Sequence, residues 1–296
     1  MAPPLTVTLL GTGNPRPSME RFGPATLVEA GESRLLIDAG RGALQRLFQI
    51  GGAELVRETD HVLFTHLHSD HVVGFSDLWL TGWVFGRERP LRVAGPPGTR
   101  AMCGHLERAF EFDLRVRGRD DRYSAEGAVL EVRDVAPGKV LEMGGVSVTA
   151  FEVDHGDGIV PAYGYRVEYG GRSAVFSGDM RNDPRFVDHA RGADLVVMEV
   201  ISPEVELAKA AVKSAIAIER VIAHHISPEQ AGRLFAEIGP RLAVYTHIVP
   251  SPATAEDLIP PTRRTYAGPL VVGYDLMQIT VGETVEVHPR RVMGDR

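Results

Sequence analysis

The sequence predicts an α/β fold, and three observations carry that prediction. First, apolar runs of strand length end in polar clusters: His61-Val62-Leu63-Phe64-Thr65 runs straight into His66-Leu67-His68-Ser69-Asp70-His71. Second, helical runs alternate with the strands, as Gly74-Phe75-Ser76-Asp77-Leu78-Trp79-Leu80 does directly after that cluster. Third, the strand-to-polar design recurs: residues 34–37 end in Asp38, Arg172–Phe176 in Ser177-Gly178-Asp179, and residues 242–245 in Thr246-His247. Polar groups at the carboxyl ends of strands are where α/β folds place their sites. The recurrence suggests two β-rich halves that point their strand ends at one cleft. Burying so many polar side chains is costly unless they are paired or hold a metal.

The elements follow in order. Residues 5–10 alternate threonine with aliphatic side chains, which suits a strand. Gly11-Thr12-Gly13-Asn14-Pro15 then forces a turn; with no third glycine and no helix pattern behind it, it is not read as a phosphate cradle. Ala25–Ala30 and residues 34–37 form a hairpin around Gly31-Glu32. A helix follows Asp38-Ala39-Gly40-Arg41-Gly42, with Leu44, Leu47 and Phe48 on one face and Gly51 as its stop. Beyond the histidine cluster, residues 90–93 read as a short strand, and Thr99 caps a helix that reaches about Phe112. Residues 123–153 are strand-like, punctuated by Pro137-Gly138 and Gly144-Gly145, and end in Asp154-His155-Gly156. Residues 163–169 pair with Arg172–Phe176 around Gly170-Gly171. Residues 195–200 form a buried strand containing Glu199, and residues 203–221 are helical by periodicity. Ser227 and Pro228 stand as N-cap and first residue of another helix. Residues 242–245 and 270–287 supply the last strands. No linker or low-complexity stretch interrupts the chain, so residues 1–296 are expected to form one domain.

Composition narrows the function classes. A chain of 296 residues with 44% hydrophobic and 24% charged side chains can bury a sizeable core, as an ordinary globular protein does. The net charge of −7 disfavours polyanionic partners in bulk, although a local basic pocket remains open. Cys103 is the sole cysteine, which excludes an internal disulfide and a thiolate metal site. Met1-Ala2-Pro3-Pro4 leads directly into a strand with no visible signal peptide, so a cytoplasmic location is expected; a secreted or periplasmic chain whose leader had been removed would read the same. No apolar run is long enough for a transmembrane helix.

Imidazole and carboxylate ligands suit zinc, and also manganese or iron. His66 and His68 are two apart, so on an extended segment they share a face and can chelate one ion. Asp70 and His71 follow the turn and point elsewhere, toward a second ion. Each ion needs a further ligand, and His155, Asp179 and His247 at strand ends all qualify. An aspartate between two cations can bridge them.

This pattern, His66-X-His68-X-Asp70-His71 followed by His155, Asp179 and His247, resembles the metallo-β-lactamase superfamily. It is most similar to the branch holding ribonuclease Z-type phosphodiesterases and zinc-dependent arylsulfatases. Leu10-Gly11-Thr12-Gly13, Asp38-Ala39-Gly40-Arg41-Gly42, Phe176-Ser177-Gly178-Asp179 and Gly268-Pro269-Leu270-Val271-Val272 extend the resemblance over nearly the whole chain. It implies a four-layer αβ/βα sandwich and two zinc ions per chain, with Mn2+ or Fe2+ as alternatives. His66, His68 and His155 would hold one ion, Asp70, His71 and His247 the other, and Asp179 would bridge. The implied chemistry is attack on an ester by a hydroxide shared between the ions, with Asp70 orienting it. His225 would give the leaving group its proton, and Glu199 would orient His225. His224, its neighbour, is the alternative for that role. Asp38 would buttress a ligand histidine. Trp79 and Trp83 would wall an aromatic substrate pocket, unless they pack a helix face. His61, His105, His189 and His288 read as surface or structural.

The resemblance leads first to a hydrolase of sulfate or phosphate esters, arylsulfatase-like or phosphodiesterase-like. Its similarity to arylsulfatases of this fold lies in Ser69-Asp70-His71, Asp77-Leu78-Trp79-Leu80-Thr81-Gly82-Trp83 and Pro228-Glu229-Gln230-Ala231-Gly232. The alternatives are a ribonuclease Z-type tRNA 3′-processing endonuclease and a lactonase-type carbonyl hydrolase. Two departures weigh against RNA. The segment between His155 and Asp179 has no room for the long glycine-rich arm that ribonuclease Z often carries, and Ile248-Val249-Pro250 stands where that family has an arginine. With the acidic charge, these features favour a small-molecule ester substrate over nucleic acid, and no membrane partner. Homodimers are common among similar proteins, so a homodimer is the expectation by analogy. A non-catalytic binding module on a decayed site is disfavoured, because all seven ligand positions are filled.

Overall fold

The computed structural model describes residues 4–120, 122–211, 214–289 and Val292, so the expectation for the leader residues 1–3 lies outside the described residues. The first half of the chain contributes β1 (Leu5–Gly11), β2 (Ala25–Ala30), β3 (Ser33–Ile37), β4 (His61–Leu63), β5 (Leu91–Gly95) and β6 (Leu130–Asp134). The second contributes β7 (Gly138–Met143), β8 (Val146–Val153), β9 (Ala162–Tyr169), β10 (Arg172–Phe176), β11 (Leu195–Ile201), β12 (Leu242–Val249) and β13 (Leu270–Val272). The last two strands, β14 (Met277–Val281) and β15 (Val285–His288), return to the first half. One sheet runs β15-β14-β1-β2-β3-β4-β5-β6 and the other β13-β12-β11-β10-β9-β8-β7.

The two-residue period of the strands divides their side chains between two cores. In β11, Leu195 and Val197 face a core shared by both sheets, with Val7, Val28, Val148, Tyr165 and Val244. Val196, Met198 and Val200 face outward, under the helices Phe186–Ala190, Pro228–Ile238 and Ala255–Arg263. The first sheet is covered likewise: Leu27, Leu36, Val62 and Phe64 pack against Leu47 of the helix Ala43–Glu58 and Leu78 of the helix Phe75–Val84. Being covered on both faces is why these strands read as near-continuous apolar runs. Each such side chain, fully buried, contributes about 1.5–3 kcal/mol. The result is the expected αβ/βα sandwich. The parallel pairs β3–β4, β4–β5, β10–β11 and β11–β12 bring Asp38, His66, Asp179 and His247 to one edge.

Several elements differ from the sequence reading. The helix after Gly42 does not stop at Gly51; it kinks at Gly52, where φ is +63°, and continues to Glu58. The Thr99 helix ends at Ala109, a second one spans Glu111–Arg117, and Gly98 rather than Thr99 occupies the cap. Residues 203–221 are not one helix: Pro203–Leu207 passes into a 3-10 turn at Ala208–Ala211, and Ala215–Ala223 starts afresh. Ser214 sets that restart by accepting a hydrogen bond from the Ala217 amide at 3.2 Å. Among the described residues, no helix is long and apolar enough to cross a membrane.

Candidate metal centre

Backbone hydrogen bonds fix the histidine loop. Its single helical turn, Ser69–Val72, is held against the loop after β3: the Ala39 amide donates to the His71 carbonyl at 2.8 Å, and the Gly74 amide to Ala39 at 2.9 Å. The approach is so close that a Cβ on Gly40 would stand 2.5 Å from the Asp70 carbonyl oxygen, so glycine is required there. Asp38, at φ +59°, turns back on this loop. It accepts from the Thr65 amide and hydroxyl at 2.8 Å each, and from His71 Nδ1 at 2.7 Å.

These bonds set the imidazole tautomers. With Nδ1 of His71 donating to Asp38, its Nε2 is left for the cleft. The Thr65 hydroxyl gives its proton to Asp38, so it accepts from His66 Nδ1 at 3.1 Å and frees His66 Nε2. His155 Nδ1 donates to the His224 carbonyl at 3.0 Å, freeing its Nε2. The freed nitrogens converge. His66 Nε2 lies 2.9 Å from His68 Nδ1, and His155 Nε2 lies 3.3 Å from the same atom. A second group forms from Asp70, His71 and His247, with His247 Nε2 3.2 Å from Asp70 Oδ2. Asp179 reaches both: Oδ1 is 3.4 Å from His71 Nε2, and Oδ2 is 3.3 Å from His247 Nε2 and 3.8 Å from His155 Nε2. All seven residues singled out as metal ligands are thus brought together.

The donor set fits cations. Asp38, Asp70, Asp179 and Glu199 are all buried, and among the described residues their ion-pair partners are all histidines. Buried carboxylates in that number call for positive charge from outside. His71 Nε2 and Asp179 Oδ1 are buried with no hydrogen bond. Burial would depress the His71 imidazole, but Asp179 and Asp38 outweigh it and hold the group well above its usual range. Burial would also raise Asp179, yet His247, His71 and His66 hold it well below the carboxylate range. The site draws positive charge to the point where the donors meet. Burial, joined by the neighbouring imidazoles, pushes His155 down to about 4, which keeps it an unprotonated donor.

Above the cluster lies a cleft of about 220 Å³, lined by His68, Asp70, His155, Asp179 and His247 together with Pro15, Arg220, Val221, His224 and His225. His225 Nδ1 sits 2.9 Å from both oxygens of Glu199, whose Oε1 also accepts the Met180 amide at 2.8 Å. Burial alone would lower His225; the Glu199 carboxylate and its hydrogen bond outweigh it, with Asp179 and Asp70 behind, and push the imidazole up to about 9. Burial pushes the Glu199 carboxyl above its usual range, against the pull of His225. With Nδ1 committed to Glu199, Nε2 is left for the cleft. His224 lies on the cleft wall and serves the cluster through its carbonyl.

Trp79 and Trp83 are not part of this cleft, which corrects the pocket-wall expectation. Both are fully buried, and their indole N–H groups donate to the carbonyls of Ala128 and Ser124 at 2.9 and 2.8 Å. They face the connection between β5 and β6. Sequence reasoning also missed three contributors. Thr65 is the relay between Asp38 and His66. Asn14 donates to the Ile248 carbonyl at 2.7 Å and so steadies the strand end that carries His247. Arg220 lines the cleft from a helix whose start had been misplaced. Polar residues next to a ligand were the available signal for Thr65; the other two come from distant segments.

The fold and this donor set define a class. The chain belongs to the metallo-β-lactamase superfamily: the family described as "Beta-lactamase superfamily domain" matches residues 33–248. It is a metal-dependent hydrolase acting on ester bonds. The particular likeness is to ribonuclease Z. The Ribonuclease Z of Mycobacterium bovis (strain BCG / Pasteur 1173P2) is 34% identical over 295 residues, covering 97% of this chain and 100% of that protein. The Ribonuclease Z of Mycobacterium marinum is 35% identical, with the same coverage. Among solved structures, human tRNase Z, short form, superposes with a TM-score of 0.68 at 19% identity, over 94% of this chain and 99% of the other.

These relatives overturn one expectation. The acidic charge and the short segment between His155 and Asp179 favour a small-molecule ester over nucleic acid, yet relatives matching the full length bear the name of a ribonuclease. Net charge misled because it sums over the whole surface, whereas recognition is local. The arylsulfatase reading finds no support in the same comparisons.

Proposed function

We propose that this chain is a ribonuclease Z-type endonuclease that cleaves a phosphodiester bond at the 3′ side of tRNA precursors. The observation that carries the reading is the pair His225–Glu199 beside the donor cluster. An aryl leaving group departs as a stabilised anion and needs little help. A ribose alkoxide is a poor leaving group and needs a proton in the transition state. The imidazolium of His225, held in the cleft by the buried Glu199 carboxylate, supplies that proton, which favours a ribose ester over an aryl sulfate. The full-length likeness to Ribonuclease Z supports the same choice.

In this reading His66, His68 and His155 would hold one zinc ion and Asp70, His71 and His247 a second, with Asp179 within reach of both groups. The two ions would supply a nucleophile from water at neutral pH and offset the charge that develops on the phosphate. Asp70 orients the attacking water, and Asp38 fixes the tautomer of His71. His225 donates its Nε2 proton to the departing ribose oxygen, while Glu199 keeps Nδ1 protonated and the ring in place. Donors from both sheets are needed, so residues 1–296 act as one domain, and an RNA substrate puts the activity in the cytoplasm.

End-labelled tRNA precursor, incubated with zinc-loaded protein, tests this. One cut at the boundary between the acceptor stem and the 3′ trailer is expected. Scattered cleavage, or none, overturns the reading.

A further inference from the structure

The helix Ala215–Ala223 walls the cleft, yet Ile218 is its single buried residue. Its Arg220 and Val221 line the cleft, as does His224 just beyond it, beside His68 and His155. Arg220 and His224 thus line the same wall, one from the last turn of the helix and the other from its cap.

Arg220 is exposed and pairs with no carboxylate among the described residues. Its neighbours in charge are otherwise committed. Arg181 is tied to Asp154 at 2.8 Å and reaches Asp157 at 3.8 Å, and Arg185 is tied to Asp183 at 2.7 Å. The carboxylates at the cleft floor, Asp70 and Asp179, are enclosed by His71 and His247 and leave Arg220 without a partner. Burial, with His225, Arg181 and Arg220 nearby, lowers His224. Among the described residues, the guanidinium that the wall offers without a carboxylate partner is that of Arg220, a planar fork matched to phosphate oxygens. It stands at the rim, outside the groups of metal donors.

We propose that Arg220 binds a phosphate of the RNA chain next to the one being cleaved, and so selects which phosphodiester enters the metal cluster. The inference rests on the ribonuclease reading. It is tested with zinc-loaded wild type, Arg220→Gln and Arg220→Lys, on tRNA precursor and on bis(4-nitrophenyl) phosphate, which carries the scissile phosphate alone. Arg220→Gln should raise KM for the precursor by about tenfold or more, with a smaller fall in kcat, and the loss on precursor should exceed that on the small diester by about tenfold. The slope of log affinity against log salt for precursor binding should shrink by roughly 0.7–0.9, the share of one phosphate contact. Arg220→Lys should keep that slope and recover part of the affinity, since charge is retained and the fork is lost. An unchanged KM and slope in Arg220→Gln, with the wild type active on precursor, overturns the assignment of Arg220. Equal losses on both substrates overturn it too, by making the helix merely structural. A wild type that hydrolyses the small diester but neither binds nor cuts precursor overturns the ribonuclease reading itself.

Discussion

Glu199 grips His225 with both carboxylate oxygens, each 2.9 Å from Nδ1. The acid form of His225 is what the proposed reaction uses, so its rate on RNA should fall as pH rises through the His225 pKa. Glu199 raises that pKa, and removing its charge lowers it. The alkaline limb of kcat for Glu199→Gln should therefore move to lower pH, while the acid limb stays. A pH profile of single-turnover cleavage checks this. A limb that stays in place, or moves to higher pH, would separate Glu199 from the proton donor.

Asp38 ties Thr65 and His71 together through three hydrogen bonds. Asp38→Asn keeps a residue type that tolerates positive φ but cannot accept from all three donors. Zinc affinity should drop about 10–100-fold, as for other partners of ligand histidines. Competition with a chromophoric chelator measures it, and an unaltered affinity would mean that the histidine is oriented by packing alone.

Removing metal should expose the unmatched buried carboxylates. The chelated protein should melt at a lower temperature and recover on adding zinc, since ligand at about 100 times its Kd stabilises by about 2.7 kcal/mol. Metal analysis of the replete protein should give about two ions per chain. A single ion per chain, with full activity, would contradict the assignment of the two donor groups.

Much of the fold and the site was legible in the sequence, because the ligands sit at strand ends where apolar runs break off into polar ones. His66, His155, Asp179 and His247 could each be found that way. Glu199 lay inside a continuous apolar run, and a buried acid in a strand is itself a signal of a partner. The substrate was less legible. Trp79 and Trp83 looked like a pocket because aromatic side chains serve cores and pockets alike; only their hydrogen bonds to Ala128 and Ser124 decide between the two. The restart at Ser214 was hidden because the alanines and isoleucines around it keep a helical pattern across the break. With that break went Arg220.

Trp79 and Trp83 are buried packing residues outside the cleft. Trp83→Ala should cost about 3–5 kcal/mol of stability, the usual loss for a fully buried aromatic side chain. The selectivity of the remaining folded enzyme between tRNA precursor and bis(4-nitrophenyl) phosphate should not change. Chemical denaturation and the ratio of the two kcat/KM values measure these effects. A changed ratio with unchanged stability would return Trp83 to the substrate pocket.

A cleft that pairs the donor cluster with His225–Glu199 suits a ribose phosphodiester. The most direct measurement is kcat/KM of one zinc-loaded preparation on tRNA precursor, an aryl sulfate, an aryl phosphodiester and an acyl lactone. The precursor should be preferred by orders of magnitude, and His225→Ala should lower its turnover by about 10²–10⁴-fold while sparing the activated aryl esters. Efficient turnover of the aryl sulfate with no cleavage of the precursor would contradict it.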